Sequence, residues 1–155
     1  QFEQTAAPTS YIPTAGSVAT RSADVVTVVL TAAEGAGGAL IGTAMVPYAA
    51  PAGQEIVLVQ VDDGTDANRV ALRLAPGGTT VELVVTSGGA ATVIAAGSCT
   101  PGVPFSIDLR WGATTSAAVD GAARVYGPAP PAGITRALLG RGNLELGPLA
   151  MRQGA

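Results

Sequence analysis

The stretch that decides the fold class is Phe105-Ser106-Ile107-Asp108-Leu109-Arg110-Trp111. Large apolar side chains occupy every second position, and polar side chains fill the positions between them. This period of two places the apolar groups on one face of an extended strand and the polar groups on the other. A helix would spread the same four large residues around its circumference. The stretch therefore predicts a β-strand with one buried face.

Other short segments are also predicted strands. Arg69 to Leu74 and Val81 to Val85 alternate in the same way, Val25 to Leu30 is an apolar run of strand length, and residues 39–48 are a further candidate. In Ile56 to Val61 apolar residues fill both sets of alternate positions, which predicts a strand buried on both faces. Turn sequences occur at Pro76-Gly77-Gly78, Ser87-Gly88-Gly89 and Asp120-Gly121, and Asp-Gly is typical of a tight β-hairpin. Turn signals recur about every 8–12 residues, as in antiparallel sandwiches. The sequence predicts an all-β fold of about ten or eleven strands without a helix, arranged as an antiparallel two-sheet sandwich.

The charged residues exclude several classes of function. The 155 residues include eight Arg, no Lys and no His, with eleven Asp and Glu, which gives a net charge of −3. Without His there is no Ser-His-Asp or Cys-His nucleophile and no imidazole metal ligand. Without Lys there is no Schiff-base chemistry and no Walker-type phosphate loop. The negative charge disfavours a nucleic-acid partner, and no apolar run approaches the roughly 20 residues of a membrane span, so we expect neither nucleic-acid binding nor membrane insertion.

The most polar stretch is Asp62-Asp63-Gly64-Thr65-Asp66-Ala67-Asn68-Arg69. Its carboxylate and amide oxygens are the hard ligands that Ca²⁺ prefers, although Gly64 stands too early for an EF-hand loop. One interpretation is a hairpin whose Asp and Asn side chains satisfy their own backbone. The other is a site that contacts a glycan or a metal ion. For a carbohydrate site the candidate residues are Asp62, Asp63, Asp66, Asn68 and Arg69. We predict no cofactor and assign no metal ligand, and Ca²⁺ is the ion that this composition could hold.

Few other residues carry recognisable chemistry. A second polar loop, Arg141-Gly142-Asn143, adds Arg141 and Asn143 as candidate carbohydrate-binding residues, although a plain hairpin turn is the simpler interpretation. Sugar binding commonly uses an exposed aromatic ring beside planar polar side chains. Tyr48 and Tyr126, next to Pro and Gly at strand ends, could line such a surface, or could simply anchor loops. Phe105 and Trp111 are expected in the core, and Cys99 is expected to be inert because nothing nearby lowers its pKa.

Glycoside hydrolysis needs two carboxylates that face each other across a sugar-binding cleft. Sandwich glucanases place them on one strand as Glu-x-Asp-x-x-Glu, and this spacing is absent from the chain. Glu82 and Asp108 are single acids on their strands and are most simply solvent-facing. We therefore predict no catalytic residues.

The N-terminal segment resembles a junction in the tail and fibre proteins of bacteriophages and of phage-like gene transfer agents. The resemblance rests on Pro8-Thr9-Ser10-Tyr11-Ile12-Pro13-Thr14 and on Thr20-Arg21-Ser22-Ala23-Asp24. In such proteins a carbohydrate-binding-like module ends in a Gln-x-Glu-type strand, and a Thr-Arg linker leads to the next domain. By this resemblance Gln1-Phe2-Glu3 would be the remnant of an upstream module, which agrees with a first residue other than Met. Residues 1–24 are then a linker or arm, and residues 25–155 the domain itself.

The remainder of the chain resembles a concanavalin A-like (laminin-G-like) sandwich. The matching positions are Asp63-Gly64-Thr65 through Asn68-Arg69, Trp111-Gly112, Ala118-Val119-Asp120-Gly121 and Leu139-Gly140. The resemblance implies a two-sheet jelly roll on the surface of a virion or extracellular particle, in contact with other particle proteins and with host glycans. A sugar site is not carried over, because lectin sites in this fold vary in position.

The function expected from these observations is a non-enzymatic fibre, spike or tail module that adheres to host cell-surface polysaccharide. The alternative is a purely structural domain that caps or trimerises a larger assembly, since abundant Ala and few charges suit close packing between subunits. A homo-oligomer, such as a trimer, is therefore also expected. A glycan-degrading enzyme is the third possibility, and it would require a pair of acids that the sequence does not display.

Overall fold

The fold is a two-sheet antiparallel sandwich, as the sequence predicts. A computed structural model describes residues 26–140, so the predicted linker 1–24 lies outside the described residues. The strands are β1 (Val26–Val29), β2 (Gly38–Ala44), β3 (Ile56–Asp62), β4 (Arg69–Leu74), β5 (Thr80–Ser87), β6 (Ala90–Ser98), β7 (Phe105–Trp111), β8 (Thr115–Val119), β9 (Val125–Gly127) and β10 (Arg136–Leu139). One sheet has the order β1-β10-β3-β4-β5-β6 and the other β2-β7-β8-β9. All neighbouring strands are antiparallel.

The core lies between the inner faces of the two sheets. Val59, Leu72 and Leu83 stand in register on three neighbouring strands of the six-stranded sheet. They belong to the same buried cluster as Leu109 and Trp111 of the four-stranded sheet. The alternation in β7 predicts this inward position of Leu109 and Trp111. Each large apolar side chain removed from water in this way contributes about 1.5–3 kcal/mol. The expectation that Phe105 and Trp111 belong to the core is confirmed.

The expectation of a fold without helices is wrong at one place. A five-residue helix, α1 (Ala32–Ala36), begins at a capping box in which Thr31 and Glu34 satisfy each other's backbone N–H groups. The carbonyl oxygen of Glu34 also accepts a hydrogen bond of 2.9 Å from the indole nitrogen of Trp111. One turn is too short to produce a 3.6-residue apolar period, so the capping pair Thr31-x-x-Glu34 is the signal that could have revealed it.

Two of the predicted turns have the backbone conformation that tight hairpins need. Gly88 and Gly89, between β5 and β6, have φ values of 57° and 84°. Asp120 and Gly121 have φ values of 50° and 74°. Positive φ at both central residues defines the type I′ turn, whose twist matches that of the strands it joins. These turns fix the strand registers and therefore decide which side chains face outward.

Candidate functional site

The predicted loop between β3 and β4 is held by its own side chains. Asp63 accepts hydrogen bonds from the backbone N–H of Thr65 at 2.9 Å, from its hydroxyl at 2.7 Å and from the amide of Asn68 at 2.8 Å. The bond from the Thr65 hydroxyl, followed by the bond from Asn68, holds the pKa of Asp63 below its usual value. The carbonyl oxygen of the Asn68 amide accepts from the N–H of Gly88 at 2.9 Å, which ties the loop to the next hairpin. The loop therefore has the form of a turn that satisfies its own backbone.

Asp62 lies beneath this loop and is fully buried. Its carboxylate accepts from the backbone N–H of Gly64 at 2.8 Å, from the side-chain amide of Gln60 and from Nε of Arg136. Arg136 stands opposite Asp62 on the neighbouring strand β10. Both carboxylate oxygens are thus engaged within the protein, while Asp66 at the tip of the loop keeps a side chain that is 60% exposed.

A network of arginines and carboxylates covers the outer face of the six-stranded sheet next to the loop. Glu55 accepts from Arg69 at 3.0 Å and also pairs with Arg73, and Arg73 donates to Glu82 at 3.0 Å. Burial opposes ionisation of Glu55, but the hydrogen bonds from the two arginines outweigh it and hold the pKa of Glu55 below its usual value. The expectation that Glu82 is a lone solvent-facing acid is wrong, because register places it opposite Arg73.

Within this network, Nε of Arg69 is buried without a hydrogen-bond partner. Its terminal nitrogens reach Glu55 at 3.0 Å and the side-chain oxygen of Gln60 at 3.3 Å. Arg69 is therefore fixed by two partners and lies 3.9 Å from the exposed Asp66. The structure thus brings the predicted residues Asp62 to Arg69 together, with Asp66 as the most accessible of the acids.

A second polar cluster occupies the outer face of the four-stranded sheet. Asp108 accepts a bidentate pair from Arg110, at 2.9 Å from Nε and 3.0 Å from Nη2, and a further bond from Arg124. Arg124 also donates to the hydroxyl of Ser116 at 3.2 Å. The hydrogen bonds from Arg110 are the main reason that the pKa of Asp108 lies below its usual value; burial opposes this shift and Arg124 adds to it. Asp108 is therefore a fixed carboxylate between two cations and not a lone acid.

Tyr126 lies beside this cluster and leaves its ring open to solvent. Ser116 stands opposite both Arg110 and Tyr126 in the registers of β8 with β7 and β9, so the three residues form one row. Tyr126 is 67% exposed. We call the surface formed by Asp108, Arg110, Ser116, Arg124 and Tyr126 the tyrosine face. Sequence reasoning identified Tyr126 but not its neighbours, although the Asp108-x-Arg110 spacing on one strand face is a signal for the ion pair.

The other residues that the sequence analysis singles out are either fully or partly buried or lie outside residues 26–140. Tyr48 is partly buried and packs against the core. Cys99 is buried, and burial raises the pKa of its thiol. Arg141 and Asn143 lie outside the described residues.

Residues 26–140 contain neither a metal-binding cluster nor a membrane-spanning helix. No group of three or more His, Cys, Asp and Glu side chains there is arranged to hold a metal ion. Within the same range, no helix has both the length and the apolar character that crossing a membrane requires.

Comparison with known proteins shows distant structural similarity without similarity to a family or a curated sequence. The chain matches no family model and no curated protein. Among solved structures it is similar to sheep galectin-11 in complex with glycerol, with a TM-score of 0.48 and 14% sequence identity. The match covers 87% of this chain and 97% of that chain. The strand order and pairing themselves define the class of protein, an antiparallel two-sheet sandwich domain.

Proposed function

We propose that this domain is a non-enzymatic module that adheres to cell-surface polysaccharide through its tyrosine face. The observation that carries the proposal is the row in which the exposed ring of Tyr126 adjoins Ser116 and the Arg110–Asp108 pair. The C–H face of a pyranose ring can cover an exposed aromatic ring, while the phenol oxygen stays available for hydrogen bonding. The sandwich supplies the rigid support that such a contact surface needs.

The arginines of the tyrosine face have hydrogen-bond donors to spare. A guanidinium carries five N–H donors in a fixed planar arrangement. Arg110 uses Nε and Nη2 on Asp108, and Arg124 uses Nη1 on Ser116 and Nη2 on Asp108. The remaining N–H groups are held in position by these bonds and suit the oxygen atoms of neighbouring sugar hydroxyls. Because β-strands lie about 4.8 Å apart, the row from Tyr126 to Arg110 spans about 10 Å, the reach of a short oligosaccharide.

The state of the carboxylates favours binding over hydrolysis. A glycosidase needs one carboxylic acid that remains protonated near neutral pH, with a pKa raised by its surroundings. The pKa values of Glu55 and Asp108 are instead lowered by arginine partners. These two acids also belong to polar clusters on different sheets, so they do not flank a common cleft. On this reasoning the domain binds glycans without cleaving them.

We place the domain in the fibre, spike or tail of a bacteriophage or gene transfer agent, where it would contact a host glycan and neighbouring particle proteins. The support for this placement is the resemblance of residues 1–24 to phage-type junctions. Labelling of purified particles with an antibody against the domain, viewed by electron microscopy, tests it. Signal on the particle surface is expected, and its absence from particles that contain the gene product would contradict the placement.

The adhesion proposal is tested on an array of capsular polysaccharides and lipopolysaccharides, with and without Ca²⁺. Binding by the unaltered chain is expected, with a loss of about tenfold or more for Tyr126→Ala, the size typical of an aromatic anchor. Tyr126→Phe keeps the ring and should retain most of the affinity. Absence of binding at millimolar sugar in both conditions would overturn the proposal.

A matched variant distinguishes glycan binding at the tyrosine face from glycan binding at the predicted loop. Asp66→Ala removes the most exposed acid of the loop, whose carboxylate lies 3.9 Å from Arg69. If the tyrosine face is the contact surface, this variant binds as the unaltered chain does. If Asp66→Ala lowers affinity and Tyr126→Ala leaves it unchanged, the glycan site is the loop of Asp62, Asp63, Asp66, Asn68 and Arg69 that the sequence predicts.

A further inference from the structure

In the part of the chain that the structure describes, strand β6 has one edge without a neighbouring strand. It ends the six-stranded sheet, and within residues 26–140 its hydrogen-bonded neighbour is β5 alone. At nine residues it is the longest strand of the described chain. Six of its residues are exposed, and Ala90 to Ser98 include no charged residue and no proline. A long uncharged edge of this kind presents a row of free backbone N–H and C=O groups to any strand that can pair with it.

The other ends of the two sheets are less suited to pairing. Strand β1 has four residues and β9 has three, too few for an extended ladder. Strand β2 has seven residues, but two of them are Gly38 and Gly42, which weaken a strand. By contrast the centre of β6 is Thr92-Val93-Ile94, three β-branched residues that favour extended structure.

The register of β6 with β5 identifies which backbone N–H and C=O groups of β6 point to the free edge of the sheet. The two-residue type I′ turn makes Ser87 and Ala90 a hydrogen-bonded pair, so Ala90, Thr92 and Ile94 bond to β5. The alternate residues Ala91, Val93 and Ala95 therefore direct their N–H and C=O groups to the free edge. The register shift between Val81 and Glu82 leaves Ala96 as an extra residue, and this bulge ends the regular edge after Ala95.

The free edge from Ala91 to Ala95 can pair with the same edge of a second chain in the antiparallel orientation. A second β6 placed antiparallel, with a twofold axis at Val93, pairs Val93 with its own copy and Ala91 with Ala95. Six backbone hydrogen bonds then form, two at each of three residue pairs. The side chains that become cross-strand neighbours at these pairs are those of Ala and Val. They carry no like charges that would repel each other and are small enough for the strands to approach. Val93 is 46% exposed in the single chain and would become covered.

We propose that two copies of this chain associate through β6, antiparallel about a twofold axis at Val93, and join their six-stranded sheets into one continuous sheet of twelve strands. Strand β9, which carries Tyr126, packs over β6. The association therefore brings the two tyrosine faces to the same region of the dimer. Two linked contact surfaces bind a repeating polymer with higher avidity than either surface alone. Self-association itself does not depend on glycan binding.

The pairing edge is short, so the dimer is expected to be weak. Interfaces that bury less than about 1,200 Å² are typical of transient contacts. We therefore expect dissociation constants on the order of 10–100 μM, which correspond to about 5–7 kcal/mol.

Sedimentation equilibrium of the 155-residue chain tests the proposal. The average mass should rise from 15.2 kDa at low concentration to between about 1.8 and 2 times that value at about 1 mM. Val93→Lys places a charge at the twofold axis, where it meets its own copy, and should remain monomeric. Val103→Lys is the matched control, because Val103 is 51% exposed and lies outside β6, and it should dimerise as the unaltered chain does. Thermal unfolding followed by circular dichroism checks that both variants fold.

Amide hydrogen exchange tests the register independently of any substitution. The amides of Ala91, Val93 and Ala95 should become protected as concentration rises, whereas those of Ala90, Thr92 and Ile94 should be protected at every concentration. The proposal is overturned by a monomer or a trimer at about 1 mM, by association of Val93→Lys equal to that of the control, or by edge amides that exchange freely in the dimer.

Discussion

Replacing Asp62 with alanine is expected to lower the free energy of unfolding by about 3 kcal/mol. The carboxylate is fully buried and accepts from the Gly64 N–H at 2.8 Å, from Gln60 and from Arg136. Removal of one partner from a buried ion pair typically costs about 3–5 kcal/mol, because the other charge is left without compensation. Since the Arg136 side chain is 32% exposed, water can solvate the released guanidinium, and the lower end of that range applies.

Two variants separate the contributions to this loss. Asp62→Asn keeps the volume and one carbonyl acceptor but loses the charge, so we expect about 1–2 kcal/mol, the difference between charged and neutral hydrogen bonds. Asp63→Ala is the matched control, because its partners Thr65 and Asn68 belong to the same accessible loop. Its loss of stability should be clearly smaller than that of Asp62→Ala, because water replaces those bonds.

The assay is urea unfolding with linear extrapolation, supported by thermal melting. A loss of about 3 kcal/mol should lower the midpoint of thermal unfolding by about 6–12 °C for a domain of this size. A loss for Asp62→Ala no larger than that for Asp63→Ala would refute the reasoning. If Asp62→Ala were instead fully stable and failed to bind glycan, Asp62 would be the binding residue that the sequence predicts.

Further predictions concern packing and pH. Gly38→Ala should destabilise the domain by about 1–3 kcal/mol in urea unfolding, because the added Cβ would lie 2.6 Å from the Trp111 ring. Gly112→Ala, where a Cβ meets nothing within 4 Å, should change stability by less than about 1 kcal/mol. Because the pKa of Glu55 is lower in the folded state than in the unfolded chain, its ionisation stabilises the fold at pH values above the unfolded-state pKa, and that contribution is lost as the pH falls through the folded-state pKa. Urea midpoints of Glu55→Gln should therefore fall less than those of the unaltered chain between about pH 6 and about pH 3, and equal slopes would contradict this.

Strand positions were predictable because they depend on local alternation. Strand β7 has the predicted bounds Phe105–Trp111, and β4 has the predicted bounds Arg69–Leu74. In β3 the continuous apolar pattern predicts burial on both faces, and all seven residues from Ile56 to Asp62 are buried. The glycine turns were predictable for the same reason, since positive φ restricts residue type at a single position.

The polar clusters were not predictable, because their members are distant in sequence. Asp62 and Arg136 are separated by 74 positions and meet only because β10 inserts between β1 and β3. Asp108 and Arg124 meet because β7, β8 and β9 are neighbours in register. Sequence pattern indicates that each residue faces outward, but strand order decides what lies beside it.

The sequence by itself determined the layered β-architecture, since a period of two and tight turns are properties of a few consecutive residues. Only the tertiary structure decided that Asp62 is buried while its neighbour Asp63 remains accessible. Only the tertiary structure also decided that Tyr126 stands beside the arginines that hold Asp108. The physical reason is that burial and ion pairing depend on neighbours across strands, and these neighbours come from parts of the chain that local pattern does not connect.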